Sequence, residues 1–229
     1  MKGTTHMAVG GYTGGLIMAY SIADRTLSFN FAGYEVYPLM AIIAAVMGGI
    51  APDVDMAHSK AGRFMRKLLR NTLIASALFL MIMNFLPQTG IAILDGAIGR
   101  GAQIDRGIPF VLAIFCVVIM YAIEKSKHRG FTHTLVGLLV VATPLILMVA
   151  TGTTFVGADL VVSAQVGFLL GWLSHMVIDT FNTAGIPWLW PITKKRFKVM
   201  RIVTGSQRER DFLVACTVFF IMGYALIVL

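Results

Sequence analysis

Charge is what this chain has least of. Of its 229 residues 13% are Asp, Glu, Lys or Arg and 57% are apolar, whereas a soluble domain carries about 25% charged residues. That scarcity argues against a water-soluble globule and for a membrane protein. A spanning helix takes about 20 residues, so roughly seven spans fit with short loops, and no separate soluble catalytic domain does. Cysteine is nearly absent as well: Cys116 and Cys216 stand singly inside apolar runs, which argues against a disulfide framework and against a thiolate metal site. Neither H-E-x-x-H nor G-x-S-x-G occurs, which disfavours an intramembrane metalloprotease of that type and a serine hydrolase with a nucleophile elbow.

The apolar runs fall at Met7 to Ala23, Val36 to Ala51, Thr72 to Leu86, Ile108 to Ile123, Thr134 to Ala150, Leu160 to Phe181 and Phe212 to Leu229, with a shorter stretch at Ile91 to Ile98. They predict an all-α fold: a polytopic transmembrane helical bundle of about seven spans, forming one domain over residues 1–229. The first run follows Lys2 and ends in Ser21-Ile22-Ala23, a weak signal-peptide pattern. Gly10 with Gly14, and Gly11 with Gly15, instead have the spacing of helices in close contact, repeated by Gly167 and Gly171. The run therefore reads as a retained helix.

The net charge of +8 would suggest nucleic acid in a soluble protein. Here the cations cluster between spans. With the N-terminus in the cytoplasm, seven spans place 16 of the 19 Lys and Arg inside and leave Arg25, Arg100 and Arg106 outside, in keeping with the positive-inside rule. Nucleic acid is accordingly disfavoured as a partner, and the expected location is a bacterial inner membrane.

The same topology gathers the polar residues. His6, His58, His128, His133 and His175 all fall at expected cytoplasmic helix ends. Pro52-Asp53-Val54-Asp55 follows Gly48-Gly49, so proline ends the second span and presents two carboxylates in a turn. His175 and Asp179 are four apart, hence on one helical face, and ionisable groups inside a span normally serve a site. In His128-Arg129-Gly130-Phe131-Thr132-His133 the glycine permits a turn that brings two imidazoles towards one ion. The expected ligands are His6, Asp55, His128, His133, His175 and Asp179, with Asp53 or Glu209 as supporting residue or general base. His58, set among Ser59, Lys60 and Arg63, is left out. Nitrogen and oxygen donors alone fit zinc first, with manganese or iron next, as one or two ions. Trp188 and Trp190 beside Lys194-Lys195-Arg196-Phe197-Lys198 read as an anchor at headgroup depth that favours anionic lipid.

His6, the Pro52-Asp53-Val54-Asp55 turn, His128 to Thr134, the His175-x-x-x-Asp179 pair and Trp188-Leu189-Trp190-Pro191 occur in that order. Together they resemble the YdjM family of inner-membrane, metal-dependent hydrolases, described in its family name as LexA-binding; Thr134 stands where that family commonly has Ser. A remoter similarity is to zinc-dependent phospholipase C, without its N-terminal Trp. The resemblance implies a membrane-bound metal-dependent hydrolase, and the phospholipase similarity implies a phosphoester or lipid-like substrate at the cytoplasmic face. Two rivals stand beside it: a divalent-metal transporter, and a regulatory membrane scaffold with a structural metal. Transporter sites usually lie near the bilayer midplane within paired repeats, and this sequence shows no such repeat.

Overall fold

A computed structural model describes residues 1–24, 26–55, 130–152 and 158–229, and singly the helical residues Lys67, Asn71, Ile74 and Leu78. Val54 and Asp55 are described by their backbone only. Apart from Ile74 and Leu78, the expected third and fourth spans lie outside the described residues, as do the Ile91 to Ile98 stretch, His58 and His128.

Five helices carry the described fold: α1 (Gly3–Ala23), α2 (Pro38–Gly48), α3 (Leu135–Thr151), α4 (Ala158–Asp179) and α5 (Gln207–Val228). Among the described residues α4 and α5 are the two long and apolar enough to cross a membrane, and α3 is a shorter apolar helix. α2 starts at Pro38, whose fixed φ and missing N–H suit a first helical position, and Gly48-Gly49 followed by Pro52 turns it into a 3-10 turn, Ala51–Asp55. α3 is capped by the Thr134 hydroxyl, which accepts from Gly137 N at 3.0 Å. Serine makes the same cap, so Thr at this position preserves the interaction. α3 closes on Gly152 at φ +60°, a left-handed end that glycine adopts readily.

The all-α expectation needs one correction. Phe29–Phe31 pairs antiparallel with Tyr34–Val36 in the register Phe29 to Val36, Asn30 to Glu35 and Phe31 to Tyr34. Ala32 and Gly33 both have positive φ, +53° and +91°, matching the twist of a two-residue hairpin. The hairpin has tertiary partners: the Tyr34 hydroxyl donates to Met148 O at 2.8 Å and Glu35 N donates to Asp159 Oδ1 at 2.9 Å. It covers the end of α3 and the start of α4. A helix rises 1.5 Å per residue, so Asp159 and Asp179 at the two ends of α4 stand about 30 Å apart, the thickness of a bilayer's hydrocarbon core.

The centre of the bundle is α2 held between α1 and α4. A Cβ on Gly10 would lie 2.5 Å from Ala45 O and one on Gly14 2.7 Å from Ile42 Cα. From the other side, Gly167 abuts the backbone of Ala41 and Gly171 that of Ala45. Two of the glycine pairs expected from spacing thus clasp the same helix. Gly15 instead faces the Phe220 ring of α5, and Gly11 faces Val46. Backbone cannot move aside as a side-chain tip can, so Gly171→Leu is expected to exceed the roughly 1–3 kcal/mol typical of overpacking. Thermal unfolding in detergent should show a large loss, while Gly3→Ala, in open space, should leave the midpoint unchanged or raised.

Candidate metal centre

Each described donor sits at a helix end or in an adjoining turn on the side away from the hairpin. His6 lies in the second turn of α1, Asp53 in the turn after α2, His133 in a 3-10 turn (Phe131–His133) before α3, and Asp179 closes α4 one turn after His175. His6 was expected before the first span. It lies inside α1 because that helix starts earlier, at Gly3, where a carboxylate from α5 completes its first turn.

One donor atom each from Asp53, His133, His175 and Asp179 lies within 4.8 Å of the others. His133 Nε2 is 3.2 Å from His175 Nε2. From Asp53 Oδ1 the two imidazole nitrogens are 3.7 Å (His133) and 3.6 Å (His175) away, and from Asp179 Oδ2 they are 3.7 Å and 3.9 Å away. Tetrahedral ligands about 2.0–2.1 Å from zinc stand about 3.3–3.4 Å from one another. The five separations that involve an imidazole lie within about half an ångström of that edge, and the two carboxylate oxygens lie within 4.8 Å of each other. Two nitrogens and two oxygens from imidazole and carboxylate form a donor set that zinc, manganese or iron accepts.

The surroundings aim these atoms inward. His175 Nδ1 lies 2.7 Å from Gly49 O; since a carbonyl only accepts, Nδ1 carries the proton and the Nε2 lone pair faces the cluster. His133 Nδ1 pairs with the Thr132 hydroxyl at 3.0 Å, which again leaves Nε2 towards the centre. The turn carrying His133 is fixed to α4 by Trp172 Nε1 donating to Thr132 O at 3.0 Å. Beneath it, Ala51, Trp172, Met176 and Ile186 form an apolar cluster with Trp188 packed against them. Trp188 thus supports the site from within the core, and Trp190 is the tryptophan of that segment with more surface exposed. Such hydrogen bonds to ligand imidazoles set ring orientation and basicity at metal centres.

His133, His175 and Asp179 are almost wholly buried, whereas the Asp53 side chain keeps 14% exposure. Burial acts to raise the Asp53 carboxyl, but His133 at close range and the adjacent His175 and His6 imidazoles outweigh it and hold the group at about 2. It is an anion at neutral pH, better suited to ligating a cation than to accepting a proton. His6 flanks the cluster: its ring stacks on His175 with centroids 3.8 Å apart, and its Nε2 is 3.4 Å from Asp179 Oδ1. The Met1 amino nitrogen lies 3.5 Å from that same oxygen.

Glu209 has a different place. Its Oε1 accepts from Lys2 N at 2.5 Å and from the Thr5 hydroxyl at 2.9 Å, and its Oε2 accepts from Gly205 N at 2.5 Å. The carboxylate caps α1 from α5, holding the segment that carries His6. Of the residues expected from sequence, the structure groups His133, His175, Asp179 and Asp53, sets His6 alongside, and uses Glu209 as a brace. The Asp55 side chain and His128 lie outside the described residues. Sequence spacing missed Gly49, whose bare backbone fits between His6 and the His175 ring; its one sequence signal was the Gly-Gly pair before Pro52.

A family model described as YdjM inner membrane protein matches residues 1–229. The inner membrane proteins YdjM of Escherichia coli (strain K12) and of Shigella flexneri are each 39% identical to this chain over 90 residues. That segment covers 38% of this chain and 43% of each relative, so the alignment spans less than half the length of the curated relatives it matches. No solved structure matches.

Proposed function

The chain belongs to the YdjM inner membrane protein family, and from that premise we propose that it is a multi-pass, metal-dependent hydrolase acting on a phosphoester of lipid-like form at the cytoplasmic face. One observation carries the reading: Asp53, His133, His175 and Asp179 bring four inward-facing donor atoms within 4.8 Å at one end of the bundle. In this reading the N-terminus is cytoplasmic, about seven spans cross the bilayer, and the donor end lies on the cation-rich side.

Asp53, Asp179, His133 and His175 would hold the ion, zinc in the first instance. When bound, a divalent cation supplies Lewis acidity, polarising an ester oxygen and making water nucleophilic near neutral pH. The chain's own contribution is placement. Gly49 O and the Thr132 hydroxyl fix both rings, and the apolar layer of Trp172, Met176 and Ile186 keeps bulk water from the closed side. Asp53, with its exposed edge, orients water entering from the other side. Glu209 anchors α1 and acts through His6 as a positioning residue.

The segment between α4 and α5 supports a lipid-like substrate. It exposes Ile192, Val199, Met200 and Val203 among Lys194, Lys195, Arg196, Lys198 and Arg201. Apolar side chains in headgroups beside cations attract anionic lipid, at about 1 kcal/mol per cation. Purified protein in detergent should hydrolyse a member of a phospholipid and phosphodiester panel, with activity lost to chelator and restored by zinc or manganese. Metal flux in sealed vesicles without hydrolysis would give the site to transport. Retained metal with neither activity would give it to a structural role.

A further inference from the structure

Where α1, α4 and α5 meet, a groove of about 420 Å³ opens on the side of the bundle. α1 contributes Val9 and Thr13, α5 contributes Phe212 and Cys216, and α4 a row that runs from Leu170 through Leu173 and Val177. Two hydroxyls stand in its wall, and both are committed to their own helices. Thr13 Oγ1 donates to Gly10 O at 2.8 Å and Ser174 Oγ to Gly171 O at 2.7 Å. An occupant therefore finds no free hydroxyl to bond, which disfavours an ion or a polar group there.

The two ends of the groove differ. One lies at the metal centre: Val9, Phe181 and Phe212 pack on Met1 and Ile178, and the Met1 amino nitrogen is 3.5 Å from Asp179 Oδ1. Arg208, which is exposed, stands four residues before Phe212, so it continues the row of Phe212 and Cys216 past that end. At the other end α1 and α5 close on each other: a Cβ on Gly15 would lie 2.8 Å from the Phe220 ring, and Tyr12 stacks on the same ring. Leu170 stands about 14 Å along α4 from Asp179, close to the half-thickness, about 15 Å, of a bilayer's hydrocarbon core.

We propose that this groove holds one acyl chain of an anionic phospholipid from the leaflet beside the metal centre, with the lipid's phosphate at Arg208 and the donor end. The inference rests on the phosphoester reading above and deepens it. Shape decides the occupant. A helix from a second copy would need a groove running the full thickness of the bilayer, whereas a chain from one leaflet ends at the midplane. Neighbouring lipid tails are as apolar as the groove, so burial alone favours neither place. Preference comes instead from contact with three helices at once and from the guanidinium at the mouth, whose planar fork matches phosphate. A tail held in this way fixes where the phosphoester comes to rest.

The test uses the chelator-treated, full-length protein in phosphatidylcholine nanodiscs doped with a phosphatidylglycerol that carries a photoactivatable diazirine midway along one acyl chain. Labelled residues are mapped by mass spectrometry. Labelling should concentrate at Leu173 and Cys216, and unlabelled phosphatidylglycerol should compete about fivefold better than phosphatidylcholine, the effect of one cation near the surface. Phe219 and Leu226, exposed on α5 outside the groove, report bulk lipid and should show no such preference. Val177→Trp, which puts an indole into the groove, should abolish the competable labelling and leave that at Phe219 and Leu226 unchanged. Groove labelling no stronger than at Leu226, with no anionic preference, would make the groove ordinary lipid-facing surface and overturn the proposal. Oxidative cross-linking of Cys216 to Cys216 of a second copy would overturn it too. Selective labelling in a protein that never binds metal would sustain the groove and sink the hydrolase reading, whereas hydrolysis without selective labelling would do the reverse. If Val177→Trp fails to fold, the labelling pattern and competition in the unaltered protein decide the question alone.

Discussion

Purified His175→Ala is expected to lose nearly all of its bound divalent metal while still unfolding cooperatively in detergent. His175 Nε2 stands 3.2 to 3.9 Å from donor atoms of His133, Asp53 and Asp179, and alanine removes that donor while leaving the other three in place. Disturbing the partners that orient a ligand already costs about 10–100-fold in affinity, so removing the ligand should cost at least a hundredfold. Stability should fall less dramatically than metal binding, since alanine leaves a cavity lined by polar atoms that water can fill. Equilibrium dialysis with zinc beside a thermal melt separates the two effects. Full retention of metal in both His175→Ala and Asp179→Ala would reduce the pair to a structural contact at the helix end.

Glu209→Ala should act in the opposite way, with a large loss of stability and a smaller, indirect effect on metal. The carboxylate accepts from Lys2 N, the Thr5 hydroxyl and Gly205 N, and the residue is 3% exposed. Alanine leaves the buried Thr5 hydroxyl without its acceptor at about 1–3 kcal/mol, the Lys2 and Gly205 N–H groups lose part-buried partners that water replaces only in part, and α1 also loses a negative charge near its N-terminus. A fall of several kcal/mol is expected by chemical or thermal unfolding. Glu209→Gln should be intermediate, because its amide keeps one acceptor but turns an N–H towards Gly205 N. A Glu209→Gln variant with unchanged stability and abolished hydrolysis would instead make this residue the general base.

The parts of this account that could be read from sequence are those governed by short-range geometry. His175 and Asp179 share a face because the helical period requires it. His133 comes round because Gly130 allows a turn, and the glycine pairs clasp a helix because small residues at that spacing permit close approach. Sequence spacing set Asp55 among the ligands and Asp53 beside them; that Asp53 joins the cluster was beyond such reasoning, since the direction of a carboxylate in a 3-10 turn depends on the helices packed against it. The extension of α1 back to Gly3 was equally hidden: its cap comes from Glu209, 207 positions away from Lys2. The hairpin was missed because Ala32-Gly33 lacks the usual Asn-Gly signature. Its stability depends on Tyr34 and Glu35 reaching α3 and α4, contacts that no local pattern discloses.

The central claim is that imidazole and carboxylate from three chain segments hold one ion at the donor end of the bundle. X-ray absorption at the metal edge of the purified, zinc-loaded protein tests it most directly. The account predicts a shell of nitrogen and oxygen alone at about 2.0–2.1 Å, with the outer-shell scattering of two imidazoles. A sulfur contribution at about 2.3 Å, or zinc that washes out with no ordered shell, would contradict it.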